Sequence, residues 1–254
     1  MRNIYLTIRY NGSRYHGFQV QKNALGVCTV FQDAVEKVLG TRYDVKGCSR
    51  TDAGVHALKY GLSMKIGHTI PCERLVHALN AALPDDIAVT DAREAPPDFH
   101  ARYHCKGKEY VYKILNSRIK DPFSPYLSYR LGYNLDADML CGEARDFVGT
   151  HDFSAFCSAG SDVEDRVRTV WSFTVARRGE KVLFTVRGDG FLYNMVRIMV
   201  GTLVYIAMGR IAPGAIPDII ASKDRMRAGK TMPAHGLYLN DVFYDMERTE
   251  WEKP

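Results

Sequence analysis

The sequence has few cysteines, and their spacing excludes the common metal and redox motifs. Six cysteines stand among 254 residues, and no two of them form a Cys-x-x-Cys pair, the spacing of zinc knuckles and thioredoxin-like sites. The N-terminal residues run directly into a strand-like pattern without the apolar core of a signal peptide, which argues against a disulfide framework. We therefore expect reduced thiols and a cytoplasmic protein.

The sequence also lacks the glycine-rich loops that hold nucleotide cofactors. It contains no P-loop and no Gly-x-Gly-x-x-Gly run after a strand, whose glycines let the backbone approach phosphates. His100, His104 and Cys105 are close in sequence, but their alternation with the residues at 99, 101 and 103 predicts a strand rather than a metal site. We expect neither a cofactor nor a metal ion.

Charge of neither sign dominates the chain. The 34 Lys and Arg residues outnumber the 29 Asp and Glu residues, and the formal net charge is +5, which permits a polyanionic partner without demanding one. With 46% hydrophobic and 25% charged residues, the composition is typical of a soluble globular protein. Its length allows one large or two ordinary domains.

One long apolar stretch, residues 191–208, approaches the length of a membrane span. Arg197 lies near its centre, where an arginine costs about 2.5–3.5 kcal/mol in a bilayer. The stretch also stands alone in the sequence. It therefore predicts a helix that begins after Gly190 and is buried inside a soluble protein, with no membrane association.

Hydrophobic periodicity divides about the first hundred residues into strand, helix, strand, strand, helix and strand. Strands are predicted at 4–10, 43–46, 58–66 and from 87, and helices at 30–39 and 72–82. Thr29 is the predicted N-cap of the first helix, and Gly40 is its C-terminal stop. This order is that of the split βαβ, or ferredoxin-like, unit.

The second half of the chain is also predicted to contain both strands and helix. Strands are predicted at 108–116, 129–133, 168–177 and 181–187, and a helix at 137–148. The Pro96-Pro97 corner precedes a domain boundary near residue 105. We therefore predict an α+β fold of two ferredoxin-like or RRM-like domains with antiparallel sheets, spanning residues 1–105 and 106–254.

The stretch with the densest chemistry is residues 47–56, Gly-Cys-Ser-Arg-Thr-Asp-Ala-Gly-Val-His. It places a cation, a hydroxyl and a carboxylate between two glycines, so the chain must turn sharply. On spacing alone, Asp52 is interpreted as a turn or helix-cap residue, because Asp side chains bond to nearby backbone amides. A basic and aromatic run at residues 14–19 is a weak sign of nucleic-acid binding.

Arg197 is the only formally charged residue between Asp189 and Arg210. A buried arginine without a partner is costly, so the fold must supply an anion, either a carboxylate or a substrate phosphate. The alternatives without a functional role are a buried ion pair and a side chain that reaches solvent at a helix end. The sequence pattern leaves these alternatives open.

Residues 50–57, Arg-Thr-Asp-Ala-Gly-Val-His-Ala, resemble the signature of the tRNA pseudouridine synthase A family. Residues 191–197, Phe-Leu-Tyr-Asn-Met-Val-Arg, resemble its second signature, and residues 108–112, Lys-Glu-Tyr-Val-Tyr, its third. Shorter matches follow at 99–103, 151–153 and 235–239, so the resemblance covers nearly the whole chain. It departs mildly at Cys48-Ser49, where relatives more often have Ala-Gly, and at Asn194, where His is common.

This resemblance implies a pseudouridine synthase fold, with the two domains meeting around a central basic cleft. It implies that Asp52 is the catalytic residue, that Arg197 pairs with Asp52, and that Tyr110 lies against the target base. It also implies a homodimer that acts on uridines 38, 39 and 40 of the tRNA anticodon stem-loop without a cofactor. Arg50 is the expected phosphate contact. Arg14, Lys106 and Lys108 are further candidates for phosphate contacts.

Two other classes of function compete with this interpretation. A non-catalytic protein that binds structured RNA through RRM-like sheets would carry an RNP1-like run, and none is visible. A glycosidase ordinarily needs two carboxylates flanking the bond, whereas only Asp52 lies in a catalytic-looking signature. For a synthase, attack by Asp52 at C1′, attack at C6 and abstraction of the C2′ proton all stay open, as does the set of tRNAs.

Overall fold

The computed structural model describes residues 1–160 and 163–244. Contacts divide the chain into two compact units, one comprising Met1–Lys106 with the residues from Leu239 onward, and the other comprising Gly107–Tyr238. The boundary after Lys106 lies beside the predicted one. The return of the chain to the first unit at Leu239 differs from the two consecutive segments that we predicted, and residues 245–254 of the second segment lie outside the described residues.

The first unit is a split βαβ arrangement. Its elements are β1 (Arg2–Tyr10), α1 (Val27–Leu39), β2 (Val45–Gly47), β3 (His56–Ile66), α2 (Cys72–Ala82) and β4 (Ile87–Ala95). Strand β1 lies between β4 and β3, and β2 pairs with β3, each pair being antiparallel. The order of strands and helices is the one predicted from hydrophobic periodicity.

The start of α1 corrects one detail of that prediction. The helix begins at Val27, with Gly26 as its N-cap, so Thr29 lies inside the helix rather than at its end. The N–H groups of Val27 and Cys28 donate to the carbonyls of Gly17 and Phe18, at 3.0 and 2.8 Å. The free N–H groups of a helix start need acceptors, and here carbonyls of the preceding loop supply them. No side-chain cap is therefore required.

The second unit combines a sheet with the helices α3, α4 and α5. Its elements are β5 (Gly107–Leu115), β6 (Tyr129–Arg130), α3 (Ala137–Ala144), β7 (Gly149–Asp152), β8 (Val167–Arg178), β9 (Lys181–Gly188), α4 (Met195–Ala207), α5 (Ile216–Ser222) and the start of β10 (Leu237–Phe243). The strand order β5-β9-β8-β7 is antiparallel throughout. With the first unit, this makes an α+β fold with mostly antiparallel pairing.

Further segments differ from the sequence expectation. Helix α3 ends at Ala144 and a 3-10 turn follows it, so it is shorter than the predicted helix 137–148, and β6 contains two residues of the predicted strand 129–133. The long apolar helix begins at Met195 rather than after Gly190, because Asn194 adopts a left-handed backbone that ends the preceding loop. Residues 101–104 form turns, not a strand; the ring nitrogen Nδ1 of His100 accepts from the N–H of Arg102 at 3.1 Å. Across residues 1–160 and 163–244, none of the helices combines the length and apolarity that crossing a bilayer requires.

Candidate active site

Asp52 lies in the loop between β2 and β3, where its side chain is half-buried. The carbonyl of Asp52 accepts from the N–H of Val55 at 3.1 Å and closes a tight turn. Gly54 sits in this turn with φ of 80°, a left-handed conformation that favours glycine. Of the two glycines noted in the sequence, Gly54 therefore allows the sharp turn that Asp52 opens, whereas Gly47 is the last residue of β2.

A second loop, residues 12–19, holds the Asp52 loop by its backbone. The N–H of Phe18 donates to the carbonyl of Thr51 at 3.4 Å, and the N–H of Gly54 donates to the carbonyl of Tyr15 at 3.1 Å. Gly17 has φ of 85°, and a Cβ at this position would overlap the carbonyl oxygen of Thr51. The basic and aromatic run thus lies directly against the loop that carries Asp52.

Aromatic side chains support the same loop from the sheet. The hydroxyl of Tyr10 and Oγ1 of Thr51 lie 2.9 Å apart, and the hydroxyl of Tyr60 donates to the carbonyl of Ser49. The ring of Phe18 stacks on Tyr60 with centroids 4.3 Å apart. These contacts fix the backbone on both sides of Arg50, whose own side chain is exposed.

Asp86 is a residue of this region that the sequence analysis missed. It accepts a hydrogen bond from the hydroxyl of Tyr15 at 2.5 Å and pairs with Arg14 at 3.3 Å. Burial raises the pKa of Tyr15, and the bond to the Asp86 carboxylate raises it further. Asp86 follows α2 in a Pro-Asp-Asp break, so the sequence signalled only a helix end there.

The second unit brings Tyr110 and a neighbouring tyrosine together on β5. Tyr110 is 7% exposed, and its ring meets Phe191 edge to face with centroids 5.2 Å apart. Two residues along the strand, the hydroxyl of Tyr112 donates to the carbonyl of Pro233 at 2.8 Å. Burial raises the pKa of Tyr112, and the positive charge of Arg197 opposes this rise, so that arginine lies within electrostatic reach.

Arg197 stands in the first turn of α4 and is half-buried. Its Nε donates to the carbonyl of Met232 at 2.6 Å, and its Nη1 donates to Oδ1 of Asn194. The N–H of Met232 returns a bond to the carbonyl of Arg197 at 3.2 Å. A backbone carbonyl and a neutral amide thus hold the guanidinium, partners that none of the three sequence alternatives named.

His235 is another residue whose surroundings the sequence did not reveal. Its ring centroid lies 6.2 Å from that of Tyr129 and 6.3 Å from that of Tyr126. Burial lowers the pKa of His235, and the charge of Arg197 lowers it further. Within the second unit, the charge of Arg197 therefore reaches both Tyr112 and His235. Asp52 and Arg50 belong to the first unit.

The other candidates for phosphate contacts, Arg14, Lys106 and Lys108, lie in different parts of the fold. The side chain of Arg14 is 76% exposed although it pairs with Asp86. The N–H of Lys106 donates to the carbonyl of Phe243 at 2.8 Å, and Lys108 pairs with Gly188 across β5 and β9. Among residues 1–160 and 163–244, no group of three or more His, Cys, Asp or Glu side chains is placed to hold a metal ion.

A family model and full-length relatives match this chain. A family model described as tRNA pseudouridine synthase matches residues 6–104 and 144–245. The tRNA pseudouridine synthase A of Acetivibrio thermocellus is 46% identical over 244 residues, which cover 96% of this chain and 100% of the relative. The protein of the same name from Thermoanaerobacter sp. (strain X514) is 43% identical with the same coverage. A crystal structure of a Cbf5-Nop10-Gar1 complex matches with a TM-score of 0.40 and 12% identity, covering 92% of this chain and 57% of that chain.

Proposed function

The chain belongs to the tRNA pseudouridine synthase family, and we propose that it isomerises uridines 38, 39 and 40 of the tRNA anticodon stem-loop with Asp52 as the catalytic carboxylate. The observation that carries the proposal is the Asp52 loop. Residues 50–57 retain the signature of the family, and backbone bonds from Tyr15 and Phe18 hold this loop in place. A fixed loop is what a precisely directed carboxylate requires.

The chemistry of the isomerisation explains why a single carboxylate suffices. The bond between N1 of uracil and C1′ of the ribose breaks, the base turns, and a new bond forms between C5 and C1′. The reaction adds no group and changes no oxidation state. Asp52 acts as the nucleophile or the base in these reaction steps. Attack at C1′, attack at C6 and removal of the C2′ proton are the three routes open to such a group.

Arg197 supplies the positive charge in the proposal. We propose that its guanidinium pairs with Asp52 in the active enzyme, favours the ionised carboxylate and fixes its direction. The hydrogen bonds from Arg197 to Met232 and Asn194 support this role, because they hold the guanidinium in one orientation. A cation beside a carboxylate lowers the pKa of that carboxylate, so Asp52 would stay ionised at neutral pH.

Tyr110 and Arg50 complete the proposed site. Because the target base lies in a stem, it must leave its stack before it reacts, and we propose that it then stacks against Tyr110, whose hydroxyl serves proton transfer at C5. The contact between the rings of Tyr110 and Phe191 supports a fixed stacking surface. Arg50 is proposed to hold a phosphate of the tRNA backbone, which its exposure allows.

Two further parts of the proposal depend on the family resemblance alone. We propose that the protein works as a homodimer in which one subunit helps to position the tRNA for the other, and that it works in the cytoplasm. Light scattering of the purified protein at micromolar concentration tests the first point, and a monomer mass with and without tRNA would contradict it. Fractionation of the source cells tests the second.

The direct test is release of tritium from a tRNA transcript labelled at C5 of uridine, followed by mapping of pseudouridine by position. The wild-type protein is expected to release tritium from uridines 38, 39 and 40. The Asp52→Asn variant is expected to bind the transcript normally and release none. Asp44→Asn is the matched control, since Asp44 is an exposed carboxylate paired with Lys46 just before β2.

Three outcomes would contradict the proposal. Appreciable turnover by Asp52→Asn would remove the catalytic role of Asp52. Tritium release from uridines elsewhere in the tRNA would remove the anticodon assignment. A wild-type protein that binds tRNA and leaves its uridines unchanged would favour a non-catalytic RNA-binding protein.

A further inference from the structure

Asn194, immediately before α4, has an unusual backbone. Its φ and ψ are 61° and 7°, the left-handed region, which residues other than glycine seldom adopt and which asparagine tolerates best among them. The N–H of Ile198 bonds to the carbonyl of Asn194 at 3.0 Å, so this residue also starts the hydrogen bonds of the helix. The turn places the Asn194 side chain beside Arg197.

The two ends of the Asn194 side chain have different partners. Oδ1 accepts from Nη1 of Arg197, and Nδ2 donates to Oγ of Ser158 at 2.9 Å. A guanidinium has only donors, so the amide must present its oxygen to Arg197 and its nitrogen to Ser158. The N–H of Ser158 in turn donates to the carbonyl of Tyr193 at 3.1 Å, which ties the Ser158 loop to the same turn.

Arg197 is therefore held at two of its nitrogens by acceptors on different segments. Nε bonds to the carbonyl of Met232, and Nη1 bonds to the amide of Asn194. Two such bonds restrict rotation of the guanidinium about the end of its side chain. Both acceptors are neutral. They satisfy donors of the guanidinium without cancelling its positive charge, which a carboxylate at either place would do.

We propose that Asn194 is a positioning residue for Arg197: a neutral acceptor, oriented by Ser158, that fixes the direction of the guanidinium while leaving its charge available to the catalytic carboxylate. This inference rests on the proposed role of Arg197. Asn194 itself touches neither the substrate nor the reacting atoms in this proposal. Its side chain is needed for turnover, and its uncharged state is needed as well.

Two variants of Asn194 test the side chain and the charge one at a time. One keeps the backbone conformation without the side chain, and the other keeps the shape of the side chain with an added charge. Asn194→Gly permits the left-handed backbone and removes the amide, so kcat is expected to fall about 10- to 100-fold with the KM for tRNA changed less than about twofold. Asn194→Asp keeps the shape and the acceptor but adds a charge beside Arg197. Its melting temperature is expected to equal or exceed that of the wild type, while kcat falls at least as far as in Asn194→Gly.

The opposite responses of stability and turnover in Asn194→Asp distinguish positioning from a structural role. If Asn194 only supported the fold, a variant with unchanged or higher melting temperature would keep its kcat. Ser158→Ala is expected to give a smaller loss of kcat, because the amide is then held at one end only. Asn80→Ala, which removes two 2.8 Å bonds between α2 and Val89, is the control: it should lower the melting temperature and leave kcat unchanged.

Arg197→Leu, measured beside these variants, separates the two proposals. If Arg197→Leu folds and turns over at the wild-type rate, the proposed role of Arg197 fails, and the inference about Asn194 fails with it. If Arg197→Leu is inactive while Asn194→Gly and Asn194→Asp keep the wild-type kcat, only the inference about Asn194 is overturned. Loss of kcat in all three, with a stable Asn194→Asp, supports both.

Discussion

The hydroxyl of Tyr10 and Oγ1 of Thr51 form a hydrogen bond of 2.9 Å. Tyr10 is the last residue of β1, and Thr51 immediately precedes Asp52. The bond therefore joins the rigid sheet of the first unit to the loop that carries the proposed catalytic carboxylate. Geometry at Asp52 is set by contacts of this kind.

Removing the bond between Tyr10 and Thr51 should affect turnover more than stability. Tyr10→Phe and Thr51→Val are each expected to lower the free energy of unfolding by about 1 kcal/mol and to lower kcat about tenfold, because the Asp52 loop is then less well placed. Urea unfolding and tritium release measure the two effects. The loss of unfolding free energy in the double variant should be smaller than the sum of the two single losses by about 0.5–1 kcal/mol. Full additivity would contradict a direct bond.

The close approach of Gly17 to Thr51 gives a second prediction. Gly17→Ala is expected to be strongly destabilising and nearly inactive, because its Cβ would overlap the Thr51 carbonyl oxygen at a positive φ of 85°. Gly40→Ala is the matched control. Gly40 also has a positive φ, 69°, but no described atom lies within 4 Å of an added Cβ.

Both variants place an alanine at a positive φ, and only Gly17→Ala adds the overlap with a backbone oxygen. Gly40→Ala should cost about 1–2 kcal/mol of unfolding free energy, from the left-handed backbone alone, and should keep wild-type turnover. Gly17→Ala should cost about 1–3 kcal/mol more, as measured by urea unfolding. Equal losses in both variants would show that the contact between the loops adds nothing.

Substitution of the two tyrosines of β5 should have different effects: one variant should lose activity and the other stability. Tyr110→Phe keeps the ring against Phe191 and removes the hydroxyl, so kcat is expected to fall about a hundredfold with a small change in melting temperature. Tyr112→Phe leaves the carbonyl of Pro233 without its 2.8 Å donor and should cost about 1–3 kcal/mol of unfolding free energy. Wild-type turnover by Tyr110→Phe would contradict proton transfer through its hydroxyl.

The contacts of the Asp152 carboxylate predict a pH dependence of stability in the second unit. The ammonium of Lys223, at 2.8 Å, and the hydroxyl of Ser154, at 2.6 Å, hold the pKa of Asp152 at about 2, below its value in an unfolded chain, about 3.9. A depressed carboxylate pKa contributes stability that is complete above the unfolded value and is lost as pH falls towards the folded value. Stability from this pair should therefore decline between about pH 4 and pH 2.

Lys223→Met tests this dependence by urea unfolding at several pH values. The variant should be less stable than the wild type at pH 5, and the difference should shrink as the pH approaches 2, where Asp152 is protonated in both proteins. Lys37→Met, which changes an exposed lysine of α1, should show no such trend. A difference between Lys223→Met and the wild type that stays constant with pH would contradict the stated cause.

Much of the local structure could be predicted from the sequence. Apolar spacing placed α2 at its observed bounds, Cys72–Ala82, and the strands β1, β3, β5, β8 and β9 within a few residues. Helix starts were less predictable. The first N–H groups of α1 bond to carbonyls of Gly17 and Phe18, and the start of α4 depends on the left-handed backbone of Asn194. Neither leaves a capping pattern in the sequence.

Motifs and hydrophobic periods lie along the chain, so the family of this protein, the order of its elements and the candidate residues Asp52, Tyr110 and Arg197 could be inferred without coordinates. The contacts that hold Asp52 and Arg197 exist only in the folded chain: loop 12–19 lies against the Asp52 loop, and the amide of Asn194 bonds to Arg197. The return of the chain to the first unit at Leu239 is likewise a property of the fold. Such contacts join separate segments of the chain or depend on one backbone angle. Neither produces a local pattern in the amino-acid sequence from which it could be predicted.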